Sequence, residues 1–198
     1  MPAEPTTAPL EPIFTIGHST RSHAEFLALL QENAVQCVVD VRKLTGSRRY
    51  PQFNADALAP ALALAADGIA YVHMAALGGR RGRTLAAGEP SPNGFWTHDS
   101  FRRYADYALA SSDFATGLHA LLARSRTERC AVMCAEAVWW RCHRRIIADY
   151  LLLHGRSVQH ILNAGRTEAA HLTPGARLKE PHAAPADQRL VYPAQAPA

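Results

Sequence analysis

One segment, MCAEAVWWRCHRR at residues 133–145, combines thiol, carboxyl, imidazole and guanidinium groups. Cys134 ends an apolar run typical of a strand, and a helical pattern follows the loop after it. A thiolate there would face helix N-terminal amides and the guanidinium groups of Arg141 and Arg144, which lower a cysteine pKa. Glu136 in the same loop can act as a general acid or base. Cys134 is therefore a candidate nucleophile or redox thiol.

Two other interpretations of these cysteines stay open. Cys134, Cys142 and His143, joined by His18 or His73, offer ligands that suit a soft metal ion. The spacing of the two cysteines matches no standard zinc module. Alternatively, the cysteines are small buried residues, which is a common role of free cysteine. That structural role is the one expected of the two remaining cysteines, Cys37 and Cys130.

Arginine is concentrated in two glycine-containing loops, TGSRRYPQF at 45–53 and LGGRRGR at 77–83. Its guanidinium suits planar, bidentate contact with phosphate or carboxylate. Tyr50 and Phe53 in the first loop can stack a base beside such a contact, although paired arginines also occur in solvated loops. The candidate ligand-binding residues of the chain are Ser19, Arg42, Arg48, Arg49, Arg80, Arg141 and Arg144.

Alternating strand and helix patterns position these residues. Strands are predicted at 13–16, 37–41, 69–74, 129–134 and 157–162, and helices at 23–32, 54–68, 98–109, 111–124 and 139–155. Ser22 and Glu25 form a capping box for the first helix, and Pro60 should kink the second or delay its start. The alternation predicts an α/β fold of three layers, with a mainly parallel five-stranded sheet and helices on both faces.

In such a sheet the carboxyl ends of the strands meet at one edge, where ligands bind. We therefore expect His18, Asp40 and Cys134, which end different strands, to share that edge. With Glu136 they form the candidate catalytic set. The alternative is that His18 and Asp40 only tie loops down by hydrogen bonds.

The whole chain has the composition of one globular domain, with 198 residues, 48% hydrophobic and 19% charged. It contains neither a long apolar run nor a signal-peptide pattern, so we expect a cytoplasmic protein with no membrane span. We expect residues 1–12 to be a flexible leader, 13–162 to be a single α/β domain, and 163–198 to be mostly extended or disordered.

Several motifs occur in an order that resembles the family named domain of unknown function 488: TIGHST, VVDVRKLTGSRRYPQFN, YVHMAALGGRR, and AVMCAEAVWWRCHRRIIADYLLLHG. The resemblance covers about residues 13–162. It implies a compact α/β domain and no particular activity. It also implies that the motif positions matter, namely His18, Ser19, Asp40, Arg42, Arg48, Arg49, Cys134, Glu136, Cys142, His143 and Arg144.

A looser similarity links VVDVR and the segment from Cys134 onward to rhodanese-like sulfurtransferases and cysteine phosphatases. The loop departs from their anion cradle, because six residues separate Cys134 from Arg141 instead of five. It has no glycine to help its amides wrap an anion, and Glu136 would repel a phosphate. A simple persulfide or phosphate cradle is therefore disfavoured.

Together these features predict a cytosolic enzyme that binds an anionic ligand, either a nucleotide or a nucleic acid, at the carboxyl edge of the sheet. The alternative is a non-catalytic module that binds nucleic acid or a metal. A soft metal ion is the one cofactor for which the residues provide ligands.

Overall fold

The computed structural model describes residues 10–65, 68–86, 88–180, 182–184 and 187–194. Within them, one sheet contains β1 (Ile13–Gly17), β2 (Cys37–Asp40), β3 (Ala70–His73), β4 (Cys130–Cys134), β5 (Val158–Asn163) and β6 (Arg166–Ala169). The helices are α1 (His23–Glu32), α2 (Ala55–Ala63), α3 (Asp99–Ala110), α4 (Ser112–Arg124) and α5 (Arg144–Leu153). Short 3₁₀ turns occur at Pro51–Phe53, Ala75–Leu77 and Trp139–Arg141, and a separate ribbon pairs β7 (Arg177–Leu178) with β8 (Leu190–Val191).

The sheet has the strand order β3-β2-β4-β1-β5-β6, and its first five strands are parallel. This confirms the predicted three-layer α/β fold with a mainly parallel sheet. The expectation of five strands is wrong, because β6 turns back at Gly165, with a φ of 65°, and pairs antiparallel with β5. All four residues of β6 are exposed, so its sequence carries no apolar alternation that would mark a strand.

Alternation along the buried strands divides the core into two parts, since successive side chains point to opposite faces of a sheet. Val132 and Cys134 of β4 join the apolar cluster that contains residues of α3, α4 and α5. Ala131 and Met133 of the same strand join the cluster that contains α1 and α2. Because side chains alternate along β4, the Cys134 side chain lies on the face of the sheet that α5 covers.

The first two helices follow from their sequence signals. Ser22 and Glu25 form the predicted capping box at the start of α1, with the Ser22 amide 2.7 Å from the Glu25 carboxylate. Helix α2 begins at Ala55, so Pro60 does not delay its start, and it ends at Ala63. It is shorter than the predicted 54–68 segment, of which residues 66–67 lie outside the described residues.

Helix α5 begins later than predicted. The segment expected to be helical from residue 139 forms a 3₁₀ turn at Trp139–Arg141, and Cys142 then adopts extended backbone with φ −128° and ψ 147°. The α-helix starts at Arg144. The N-terminal amides of α5 are therefore farther along the chain from Cys134, the last residue of β4, than the predicted helix start at residue 139 would place them.

The segment 163–198, expected to be mostly extended or disordered, contributes to the core where it is described. Leu190 and Tyr192 are buried. The Tyr192 hydroxyl donates to Asp149 at 3.0 Å, and its amide donates to Asn93 at 2.9 Å. The packed structure therefore continues beyond residue 162, because an aromatic ring near the end of the chain returns to α5.

Two further expectations concern the N-terminal segment and membrane-spanning helices. The predicted leader at 1–12 lies outside the described residues up to residue 9, and Glu11 pairs with Arg129. In the described part of the chain, none of the helices combines the length and apolarity needed to cross a membrane.

Candidate active site at the carboxyl edge of the sheet

Strand register brings the predicted residues together. Gly17 of β1 lies opposite Cys134 of β4, and Asp40 of β2 lies opposite Met133. The His18 amide donates to the Cys134 carbonyl at 2.9 Å. His18, Asp40 and Cys134 therefore lie at one edge of the sheet, the edge at which the parallel strands end.

Gly17 allows a loop to cross tightly over the end of β1. A Cβ atom at this position would lie 1.9 Å from the Glu136 carbonyl oxygen and 3.0 Å from the Ala137 Cα. Only a residue without a side chain fits there. The glycine thus lets the segment after Cys134 pass next to His18.

Asp40 is fully buried and holds Arg42 in place. Its carboxylate accepts from the Arg42 Nε at 2.9 Å, from Nη2 at 2.6 Å and from the Arg42 amide at 3.0 Å. Tyr71 donates its hydroxyl to the same carboxylate at 2.7 Å. Asp40 lines none of the cavities described below, and its carboxylate contacts Arg42 and Tyr71.

His18 is buried between Arg42 and an aromatic ring. Its ring stacks on Phe53 at a centroid distance of 4.3 Å. Nδ1 lies 3.1 Å from the Ser19 carbonyl and Nε2 lies 3.3 Å from Arg42 Nη1. Burial lowers the pKa of His18 to about 4, so the ring is neutral at pH 7. With its proton on Nδ1, it donates to Ser19 and accepts from Arg42.

A cavity of about 280 Å³ opens at this edge. Three of its lining side chains are cationic, one is a thiol and two are imidazoles. The chemically active lining residues are His18, Arg42, Lys43, Tyr50, Arg80, Cys134 and His143. Lys43 is not among the ligand-binding residues predicted from the sequence. Its position directly after Arg42, beyond the end of a predicted strand, could have indicated it.

A second cavity of about 210 Å³ lies beside the first and shares Gly79, Arg80, Cys134 and His143 with it. Glu136, Arg141 and Cys142 line only this second cavity among the candidate residues. Glu136 is exposed, and its carboxylate accepts from the Ala137 amide at 3.1 Å. Cys134 therefore lines both cavities, whereas Glu136 and Arg141 line only the second.

The structure separates the other candidate ligand residues from the two cavities. Ser19, with a φ of 50°, lines a different cavity of about 460 Å³ on the far side of the loop. Arg48 and Arg49 are exposed, and the Arg49 guanidinium lies 5.3 Å from the centre of the Tyr50 ring. Neither arginine lines the cavities at Cys134.

Arg144 is buried, with an exposed fraction of 1%, and binds the loop rather than a cavity. Its Nη2 donates to the Glu136 carbonyl at 2.5 Å and its Nε donates to the Cys142 sulfur at 3.3 Å. Among the residues that the structure describes, no carboxylate lies within ion-pair distance of it. The Cys142 sulfur is therefore the group that can balance its charge.

Cys134, Cys142 and His143 form a compact cluster, which we call the thiol cluster. Their ligand atoms all lie within 4.8 Å of one another. His143 Nδ1 is 3.6 Å from the Cys142 sulfur and 3.9 Å from the Cys134 sulfur. His18 and His73 lie outside this cluster, and His73 Nε2 is instead 2.8 Å from the Arg42 carbonyl.

Charge in the thiol cluster favours the thiolate at Cys142. Burial raises the pKa of Cys142, but the hydrogen bond with Cys134 and the charges of His143 and Arg144 outweigh burial and lower it well below its usual range. The hydrogen bond with Cys142, together with burial, raises the pKa of Cys134. The positive charges expected to lower the pKa of Cys134 therefore lower that of Cys142 instead, because His143 and Arg144 contact the Cys142 sulfur.

The other two cysteines pair at the opposite end of the sheet. Cys37 and Cys130 are register partners on β2 and β4 and are fully buried. All four cysteines of the chain are free. Cys37 and Cys130 line none of the cavities described above, which agrees with the structural role expected for them.

Comparison with known proteins gives a family and no activity. No curated protein and no solved structure matches the chain. The looser similarity to rhodanese-like sulfurtransferases therefore stays a prediction. The family model described as Domain of unknown function DUF488 matches residues 22–151, which is more than half of the chain and includes Asp40, Arg42 and the thiol cluster. The chain therefore belongs to the DUF488 family.

Proposed function

We propose that the protein is a cytoplasmic enzyme that binds an anionic ligand, a nucleotide or a nucleic acid, at the carboxyl edge of its sheet. One observation carries the proposal: Cys134 lines the same 280 Å³ cavity as three cationic side chains, Arg42, Lys43 and Arg80. The four free cysteines support a reducing compartment such as the cytoplasm.

The charge in this cavity suits an anion. Lys43 and Arg80 are exposed and form no ion pair within the described part of the chain. Asp40 neutralises Arg42, and no acidic residue lines the cavity. Two uncompensated positive charges therefore face one concave surface, where field lines are concentrated and an anion is attracted.

The shape and lining of the cavity suit a nucleotide. A volume of about 280 Å³ is near the lower limit of small-molecule sites, which favours a single nucleotide unit over a large ligand. The Tyr50 ring lines the cavity beside the cations. An aromatic face next to Arg and Lys groups can stack a base while the cations contact phosphate.

Each candidate catalytic residue has a role in this proposal. The Cys134 thiol is the candidate reactive group because it is the cysteine that lines the first cavity. Glu136 lines the second cavity, from which it could supply or accept a proton. Neutral His18 accepts a hydrogen bond from Arg42 and so orients it. The Asp40 carboxylate holds the Arg42 guanidinium in place by accepting hydrogen bonds from it.

Titration of fluorescent nucleotides and short oligonucleotides at low and high salt tests this function. We expect binding that weakens as salt rises, because phosphate contacts release counterions. Absence of binding to both classes at low salt would remove them as ligands. Salt-independent binding would contradict the role of the cations.

The second candidate function is a non-catalytic nucleic-acid-binding module. The exposed arginine pair Arg48 and Arg49 beside Tyr50 favours it, because these side chains could extend a binding surface beyond the cavity. Retained oligonucleotide binding by Cys134→Ser, with no turnover of nucleotides or oligonucleotides by the wild type, would select this candidate over the enzyme.

A further inference from the structure

We propose that the thiol cluster binds a thiophilic divalent metal ion, with Zn²⁺ the best fit, and that its fourth coordination position opens into the cavities. The ligands are the Cys134 sulfur, the Cys142 sulfur and His143 Nδ1. This inference goes beyond anion binding and does not depend on it. With the ion bound, the Cys134 sulfur acts as a metal ligand rather than as the reactive atom of the proposed enzyme.

The ligand triangle already has nearly the size that zinc requires. Zn–S bonds of about 2.3 Å and Zn–N bonds of about 2.0 Å give a tetrahedral S···N edge of about 3.5 Å and an S···S edge of about 3.8 Å. The observed S···N distances are 3.6 Å and 3.9 Å, and the three ligand atoms all lie within 4.8 Å of one another. Small side-chain adjustments would close the site around an ion.

The backbone explains how two adjacent residues both supply ligands. Cys142 is extended, with φ −128° and ψ 147°, and His143 follows as the residue before α5. Gly79 lies against the imidazole, since a Cβ there would be 2.8 Å from His143 Nδ1. The Tyr104 ring contacts the imidazole edge to face at 4.9 Å. These contacts hold Nδ1 beside the two sulfurs.

The charge balance around the cluster suits a metal-bound thiolate. Arg144 is buried without a carboxylate partner in the described residues, and its Nε lies 3.3 Å from the Cys142 sulfur. An N–H group that donates to a ligating sulfur orients the ligand and tunes the metal. Binding of the ion displaces the remaining thiol protons into solvent and moves no electrons.

The open face of the cluster points to the cavities. Cys134 and His143 line both of them, and Cys142 lines the second. Three protein ligands with a free fourth position are the pattern of a catalytic zinc site, whereas structural zinc sites have four protein ligands. A water molecule or an anion from the cavity would occupy that position.

A second group of potential ligands gives an internal control. Cys37, Glu128 and Cys130 also lie within 4.8 Å of one another. Both of these cysteines are fully buried and line none of the cavities described here. We expect this group to bind no metal, because Arg124 already pairs with both oxygens of the Glu128 carboxylate, at 2.8 Å and 2.7 Å.

Titration of the metal-free protein with Co²⁺, followed by competition with Zn²⁺, tests the site directly. The wild type should bind one ion per chain and show sulfur-to-cobalt charge-transfer absorption that Zn²⁺ removes. Cys142→Ser and His143→Gln should weaken binding by about tenfold or more, and Gly79→Ala should weaken it by displacing the imidazole. Cys37→Ser should bind like the wild type.

Absence of cobalt–thiolate absorption in the wild type, or equal binding by wild type and Cys142→Ser, would overturn the proposal. A measurement on the wild type alone guards against variants that fail to fold. Zn²⁺ should protect Cys134 and Cys142 from alkylation and leave the labelling of Cys37 and Cys130 unchanged. Unchanged labelling of all four cysteines would also overturn it. Neither readout involves a nucleotide, so the metal proposal and the anion proposal can fail separately.

Discussion

Asp40 and Arg42 form a buried ion pair whose partners depend on each other. The exposed fraction is 0% for Asp40 and 7% for Arg42. The Asp40 carboxylate also accepts a hydrogen bond from the Tyr71 hydroxyl. Removing one charge leaves the other buried and uncompensated, which typically costs about 3–5 kcal/mol. Asp40, which the sequence places in the candidate catalytic set, contacts Arg42 in the folded chain.

Asp40→Asn should lower the free energy of unfolding by about 3–5 kcal/mol, measured by urea denaturation at pH 7, because Arg42 keeps its charge and loses its counterion. Tyr71→Phe is the control. It removes one hydrogen bond to the same carboxylate and should cost about 1.5–3 kcal/mol. A loss in Asp40→Asn that is no larger than in Tyr71→Phe would contradict the role of the ion pair.

Asp149 in α5 links stability to pH. Burial raises its pKa to about 6, against about 3.9 for an unperturbed Asp. Between these values the folded chain holds a proton that the unfolded chain releases. The stability that this group contributes is therefore complete below about pH 4 and is lost as the pH rises through about 6.

Asp149→Asn should abolish this dependence, because Asn stays neutral and can still accept from the Thr173 amide, now 2.8 Å from the carboxylate. At pH 8 the variant should be more stable than the wild type by about 1–3 kcal/mol. The difference should shrink toward pH 4, as measured by denaturant unfolding across this range. A difference that stays constant from pH 4 to pH 8 would disprove the assignment.

At the level of elements, the sequence predicted most boundaries because periodicity and caps are local. The bounds of β1 to β5 agree with the structure within one residue. The predicted start of α5 is wrong because Cys142 is extended. Its sulfur contacts His143 and Arg144. Contacts of this kind depend on the folded positions of the side chains, so they cannot be predicted from hydrophobic periodicity in the sequence.

The same distinction applies to the candidate site. Strand ends predicted that His18, Asp40 and Cys134 would converge, because parallel register is a property of the elements. The roles of Tyr71 and Gly79 could not be predicted, since each depends on a neighbour that lies far away in sequence. The thiol cluster was among the interpretations left open, and its distances could come only from the folded loop.

Gly17 at the end of β1 gives a prediction at the element scale. Gly17→Ala should destabilise the fold by about 1–3 kcal/mol or more, because its Cβ would overlap the Glu136 carbonyl, which is backbone and cannot rotate away. Gly46→Ala is the matched control, since a Cβ there meets no atom within 4 Å. Thermal unfolding of both variants decides between them. Equal melting temperatures would show that the loop after Cys134 yields without cost.

At the scale of the whole molecule, Leu190 and Tyr192 complete the core on the α3–α5 face of the sheet. Tyr192 is fully buried and packs on Trp96 at a ring distance of 5.2 Å. Tyr192→Ala should cost about 3–5 kcal/mol of unfolding free energy, as truncation of other large aromatic residues does. Val191→Ala, one residue away and only half-buried, should cost much less. A small effect of Tyr192→Ala would mean that the domain is stable without the packing of this aromatic ring.

We propose that the cavity at Cys134 binds a nucleotide or nucleic acid through its uncompensated cations. The affinity of one fluorescent nucleotide for the wild type, Arg80→Ala and Arg166→Ala at low salt tests it most directly. Arg166 lies on β6, is exposed and lines none of the cavities described here, so both variants change the net charge equally.

We predict that Arg80→Ala weakens binding by about tenfold or more, since a charge-assisted hydrogen bond contributes about 1.5–3 kcal/mol. Arg166→Ala should stay within about twofold of the wild type, because long-range charge is largely screened. Equal affinities in the two variants would show that the nucleotide does not bind in this cavity, and would contradict the account.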